Sequence, residues 1–403
     1  MENKHSLGII SITGSKLLER FSYYGMRSML LLYMLHTLNF SEEKMHSIYG
    51  TFSLIIGLTP LIGGIIGDLV LGSKRAAILG GFIQALGYFA LCIPNNIGLY
   101  SGLGFIILGV GLYNPNILSQ LSLVYRNKHH LIDSAILILY VGINIGAFIA
   151  PFLIGTTGEN RNYSTSFLLA GIAVCLSQVI LIFTKNSPET ILPENKTSYK
   201  NTNLITLVLI SLFLTIPLYW ILFEHSDFII LKLFNNINMD LNSNSFTTTT
   251  QMINPFIIIF LGIILAVIWS FIKVSSVLKL SIGFIITAIS CFLISHFISS
   301  PTITFILLSI VLQSISELFI GPIALSLICQ YSPVKWQSTL MGGYLTASAI
   351  ISYLGSYLIA YFERLSDSTS LILSTVILTL IALVYFILYA FIKKSTKEIS
   401  PIS

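Results

Sequence analysis

Long apolar runs separated by short polar breaks make up almost the whole chain, and none of the runs alternates strictly as a half-buried strand would. A run of about 17–25 apolar residues is long enough to cross a bilayer as a helix. Twelve such spans are predicted, at approximately 10–37, 47–71, 76–94, 98–122, 133–156, 166–184, 203–226, 251–273, 277–297, 302–330, 336–362 and 369–392. A membrane barrel would need short alternating segments, and the sequence has none. The pattern predicts an all-α membrane protein. The stretch at 227–250, with its Asn and Thr runs, reads as a mobile, solvent-facing outer loop.

Composition sharpens this picture. Of 403 residues, 55% are hydrophobic and only 9% charged, against about 25% charged in a soluble domain. So few charges cannot coat a globular surface, which excludes a soluble enzyme, a nucleic-acid binder and a disordered chain. The net charge of +5 reads as topology. With the N-terminus cytoplasmic, 14 of the 21 Lys and Arg fall on inside segments, four on outside loops (Lys44, Arg161, Lys232, Arg364) and three within the first span. That bias places both termini in the cytoplasm. Cys92, Cys175, Cys291 and Cys329 are far apart in apolar stretches, with neither disulfide nor metal spacing, and no cleavable signal peptide is visible. No catalytic residue, metal or nucleotide motif is read.

The longest polar cytoplasmic connection, 185–202, separates a six-helix half at 1–184 from another at 203–403. Two six-helix halves around a midplane site are the architecture of major facilitator transporters. A charge at the bilayer centre costs roughly 2.5–3.5 kcal/mol on insertion scales, so buried charges need a reason. Span one carries Lys16, Glu19, Arg20, Tyr23, Tyr24 and Arg27, all within an arc of about 140° at helical spacing. Such a face looks onto a water-filled cavity or onto partner charges. Glu224 in span seven, beyond Trp220, and Glu317 in span ten are the candidate acidic partners. Locking helices together is the plainer role for these acids. Three acids and three bases in one membrane interior favour a substrate and ion pathway.

Glu19-Arg20-Phe21-Ser22-Tyr23-Tyr24-Gly25 closely resembles the first-helix signature Glu-x-x-Glu-Arg-Phe-x-Tyr-Tyr-Gly of proton-dependent oligopeptide transporters. Further matches run along most of the chain. Gly63 to Asp68, with Gly72-Ser73-Lys74-Arg75, resembles the facilitator loop motif after helix two. Gly109 to Asn116 is similar to the helix-four motif, Tyr140 to Gly146 to the helix-five motif, Asn254-Pro255 to the opening of helix eight, and Glu317 with Pro322 and Pro333 to helix ten. The resemblance implies a major facilitator fold and a monomeric symporter in the inner (plasma) membrane that imports di- and tripeptides by alternating access. Protons are the coupling ion and no cofactor is needed. Arg20 would hold the peptide carboxylate, whose planar geometry suits a guanidinium fork, and Glu317 the amino terminus. Tyr23, Tyr24, Asn144 and Asn254 would bond the peptide, with Trp220 lining the cavity or packing its helix. Glu224 would be the proton site, paired with Arg27 near the outer gate. Asp68, Lys74 and Arg75 would form a cytoplasmic gate or hinge between helices two and three.

Two departures stand out. Lys16 occupies the position of the motif's first Glu, and Asn114 that of the helix-four Lys. Lys16 either stands in for the lost helix-four cation or snorkels to the cytoplasmic water. Proton coupling through helix one is altered on either reading, so a carrier or exporter of peptide-like compounds or amino-acid conjugates, and a non-transporting peptide sensor, are alternatives. His225, beside Glu224, reads as a helix-end residue facing the outer solvent, and His129 and His130 as part of the basic loop between spans four and five.

Overall fold

The computed structural model describes residues 5–159, 162–184, 202–237, 245–362 and 364–397. The predicted linker 185–202, Thr202 apart, lies outside the described residues, as do Lys4, Arg161, Lys185, Lys196 and Lys200. Twelve long α-helices and no strand are found among the described residues. They are α1 (Gly8–His36), α2 (Glu42–Ile66), α3 (Ser73–Leu91), α4 (Asn96–Val124), α5 (Ile132–Glu159), α6 (Tyr163–Phe183), α7 (Thr202–Ile237), α8 (Ser245–Phe271), α9 (Ser276–Phe297), α10 (Ile303–Tyr331), α11 (Gln337–Phe362) and α12 (Asp367–Lys397). They correspond one for one with the twelve predicted spans. Ten are long and apolar enough to cross a membrane by length and composition alone. The other two are α1, which carries Lys16, Glu19, Arg20 and Arg27, and α3, which opens on Lys74 and Arg75 and is diluted by Gly80, Gly81, Gln84 and Gly87.

Three expectations are corrected. Most of 227–250 is helical, because α7 continues to Ile237 and α8 begins at Ser245. The extension is amphipathic. Ile229, Ile230, Leu233 and Phe234 are buried at helical spacing, while Lys232 on the polar side pairs with Asp367 of α12 at 2.8 Å. Pro255 therefore sits well inside α8 instead of opening it. His225 does not face the outer solvent. It is buried, with Nε2 3.0 Å from Ser370 Oγ and its ring against Phe362.

The chain divides into two compact units, residues 1–187 with 328–350, and residues 188–327 with 351–403. In the first, α1 packs on α5 and α6, and α3 lies along α4. Its core gathers Met26, Leu30, Tyr33, Tyr88, Ile106 and Phe167. Glycines set the closest approaches: a Cβ at Gly63 would lie 2.8 Å from Leu112 Cα, and one at Gly87 2.7 Å from Gly102 O. In the second unit α9 packs along α12, where Phe284 stacks on Tyr385 at 5.5 Å, and Ser281 bonds the Ala382 carbonyl.

Candidate functional site

The first unit holds a buried ionic cluster built on α1. Lys16, Glu19, Arg20 and Tyr23 follow one another at spacings of three, one and three, so their side chains share a face. Glu19 is the centre, its side chain wholly buried. Arg20 grips it with two parallel bonds, Nε to Oε2 and Nη2 to Oε1, both 2.7 Å, the fork geometry that makes a guanidinium–carboxylate pair strong. Lys16 Nζ adds a third bond to Oε2 at 2.9 Å, and Gln84 of α3 a fourth to Oε1 at 3.2 Å. Asn114 of α4 accepts from Lys16 Nζ at 2.5 Å and from Arg20 Nη2 at 3.2 Å through the same Oδ1. Lys16 thus points inward and does not snorkel, because a carboxylate and an amide oxygen satisfy its ammonium. Tyr113 and Tyr23 put ring faces 5.0 Å from Lys16 Nζ and 4.8 Å from Arg20 Cζ.

Around this centre the other predicted residues take separate places. Tyr24 meets Tyr23 edge to face at 5.5 Å. Arg27, exposed and farther along α1, donates through Nε to the Tyr49 hydroxyl of α2. Asn144 of α5 turns its amide back onto the Tyr140 carbonyl at 2.9 Å. Gln84, Tyr88 and Tyr113 were not singled out by the sequence reading. Gln84 in mid-span three was the visible signal, since a carboxamide there needs polar partners. It finds Glu19 and Tyr88.

The loop motif lies at one end of the same unit. After α2 the chain makes a π turn, Gly67–Leu71, and leaves it through Gly72 at φ +76°, a backbone conformation suited to glycine. Asp68 accepts from the backbone N–H groups of Ser338 (3.1 Å) and Thr339 (2.7 Å) in the first turn of α11, which places a negative charge where a helix start favours one. Lys74 donates to the Thr184 carbonyl at 2.7 Å, just past α6, and Arg75 is exposed. The three members of the motif address three different regions.

In the second unit Asn254 Nδ2 donates to Glu317 Oε2 at 3.1 Å, and Asn254 Oδ1 is buried with no hydrogen-bond partner among the described residues. Glu317 is itself buried. Trp220 packs edge to face on Tyr219 and Phe223, and Tyr219 bonds Ser316 at 3.0 Å, one residue from Glu317. Glu224 is exposed and Asp227, one turn on, half-buried. Buried charge in the first unit thus centres on Lys16, Glu19 and Arg20, and Glu317 is a buried carboxylate of the second.

Residues 13–273 match the family model described as Major Facilitator Superfamily. The chain belongs to the major facilitator superfamily. Residues 191–373 match the family model described as POT family. A di-/tripeptide transporter of Lactococcus lactis subsp. lactis (strain IL1403) is 24% identical over 89% of the chain and 90% of its own length. Dipeptide and tripeptide permease B of Photorhabdus luminescens is 34% identical over 47% of the chain and 40% of the permease. A POT family transporter crystallised with a thioalcohol-conjugated peptide superposes with a TM-score of 0.62 at 22% identity, covering 96% of each chain, which shows a shared fold. The facilitator is a multi-pass membrane protein of a transporter family.

Proposed function

We propose that this facilitator is a carrier, not an enzyme, that brings di- and tripeptides into the cell together with protons by alternating access. It works as a monomer in the plasma (inner) membrane with both termini cytoplasmic, its helices arranged as six-helix halves at 1–184 and 203–403. The observation that carries the reading is the division of opposite charges between the two units: Arg20 in the first and Glu317 with Asn254 in the second. A peptide is a zwitterion. Arg20 takes its carboxylate and Glu317 its ammonium, while Tyr23, Tyr24, Asn144 and Asn254 bond its backbone and Trp220 lines the space around it. Fixing the two ends leaves the side chains unselected, which suits broad specificity. The di- and tripeptide names of two relatives support this substrate class.

Glu224 carries the proton in this reading, taking it up and releasing it as its pairing with Arg27 is broken and made. Asp68, Lys74 and Arg75 hold the cytoplasmic gate. Uptake of labelled dialanine into proteoliposomes tests the scheme. An inward proton gradient drives accumulation in wild type, while Glu224→Gln retains exchange but does not accumulate. Absence of dialanine movement by folded wild-type protein overturns the substrate class, and accumulation by Glu224→Gln overturns the proton site.

A further inference from the structure

The ionic cluster of the first unit is not neutral. Lys16 and Arg20 are two cations, and Glu19 is the single carboxylate within ion-pair distance of either among the described residues. All the other partners are uncharged: Asn114 and Gln84 through their amides, Tyr113 and Tyr23 through their ring faces. From the elements packed against α1, the titratable groups on this side are Tyr88 of α3 and Tyr113 of α4. Helix α6 contains no charged residue and contributes Ser177 to the Ser15–Tyr113 bonds. Asp133 of α5 lies in its first turn, held by Gln330, and Tyr49 of α2 is taken by Arg27. One positive charge is left over in a nearly dry place, the side chains of Lys16 and Arg20 being 6% and 13% exposed.

Both oxygens of Glu19 and the Asn114 oxygen are already engaged, and Arg20 uses Nε and Nη2 on them. Nη1 makes no hydrogen bond among the described residues. A buried excess charge is costly unless an opposite charge joins it. One carboxylate brought to Nη1 cancels it completely.

We infer that Lys16 is a built-in counter-charge for the substrate carboxylate, so that this cluster binds a monocarboxylate without taking up a proton. A cluster lacking that ammonium would be neutral when empty and negative when occupied, and would need a proton to restore balance. Lys16 supplies with its own ammonium what a proton taken up on binding would otherwise supply. The inference rests on the peptide reading above, and it assigns proton movement wholly to other groups, Glu224 foremost.

The test is proton uptake per dialanine bound, measured by titration calorimetry in buffers of different ionisation enthalpy, with Glu224→Gln protein so that the other proton site is silent. The expected uptake is near zero, with affinity changing less than about threefold between about pH 6 and pH 8, where uptake of one proton would change it about a hundredfold. Adding Lys16→Gln raises the uptake towards one proton and weakens binding at least about tenfold at the higher pH. Adding Lys16→Arg instead, which keeps the charge, leaves the uptake near zero. Uptake near one proton in Glu224→Gln alone overturns the inference and leaves the peptide reading intact, and it decides the matter even if Lys16→Gln fails to fold. Uptake unchanged by Lys16→Gln also overturns it. No dialanine binding by wild-type protein removes both readings.

Discussion

Removing the Glu19 carboxylate strands two cations, and the structure says how much that costs and what relieves it. In Glu19→Gln the bidentate Arg20 contact and the Lys16 bond both lose their anion, and only two neutral amide oxygens, the one kept at position 19 and that of Asn114, stay to receive the donors. Breaking a buried pair by deleting one partner costs about 3–5 kcal/mol, because the surviving charge is left uncompensated. Lys16→Gln is the milder change. Glu19 keeps both Arg20 bonds and the Gln84 bond, so the loss is about 1 kcal/mol. The informative case is the double variant. With Glu19 gone, Lys16 is a liability, and replacing it removes one of two repelling cations. The Glu19→Gln/Lys16→Gln protein is therefore expected to be more stable than Glu19→Gln by about 1–2 kcal/mol, although it carries one more substitution. Unfolding in mixed micelles titrated with dodecyl sulfate, followed by fluorescence of the three tryptophans, gives the four stabilities of the cycle. A double variant less stable than Glu19→Gln would refute the charge argument. So would a Glu19→Gln protein within about 0.5 kcal/mol of wild type.

Three other outcomes follow from single contacts. Asp68→Asn keeps one oxygen for the α11 N–H groups and loses the other along with the charge. Asp68 is half-exposed, so the expected cost is about 1 kcal/mol, with amide hydrogen exchange at Ser338 and Thr339 rising while that of α9 does not. Gly63→Ala drives a Cβ into the Gly111–Leu112 backbone and costs about 1–3 kcal/mol in the same unfolding assay, whereas Gly104→Ala, with open space around its Cβ position, is neutral or stabilising. Just before α1, His5 Nδ1 lies 2.7 Å from the Tyr125 hydroxyl. Burial pushes that phenol up to about 12, and Ser134 Oγ lies 3.3 Å from the other ring nitrogen, Nε2. Burial, with Lys128 adding to it, holds His5 below the ordinary histidine value. The neutral ring is therefore the folded form, and its contribution is complete above the ordinary value and lost as pH falls through the lowered one. Protease cleavage within the first eight residues should rise on acidification in wild type and be independent of pH in His5→Gln.

The twelve spans could be read from the sequence because a bilayer demands length and apolarity together, a pattern that needs no tertiary information. The ends of α7 and α8 could not. Glu224 and Asp227 interrupt the apolar run before it resumes at Phe228 to Phe234, and the Asn and Thr runs of 235–250 then hide the helical continuation. The ionic face of α1 was legible as a face, since six residues within one arc are a property of helical spacing alone. Which neighbours it met was not. A lysine's reach covers both the water at the helix end and the carboxylate one turn away, and only the placement of Asn114 and Gln84 decides between them. Asp68 drew attention through the loop motif, yet its partners are two backbone amides 270 residues on, a contact that no local pattern announces.

The seam between α3 and α4 has a mechanical consequence. Gly80 faces the Gly109 carbonyl and Gly87 faces that of Gly102, so main chain lies against main chain along its length. A contact made of long side chains can slide by exchanging rotamers, whereas here backbone meets backbone at the glycines, with Leu91 and Ile106 wedged beside them. Packed this closely, the two helices are expected to move together as one stiff plank. Bending within the first unit then concentrates where the ladder of helical bonds is already irregular, at the π turn Gly67–Leu71 and the left-handed Gly72 that follows it. A β-branched side chain at position 72 would strain that turn, where the backbone has φ +76°, and is expected to perturb the joint while leaving the plank untouched.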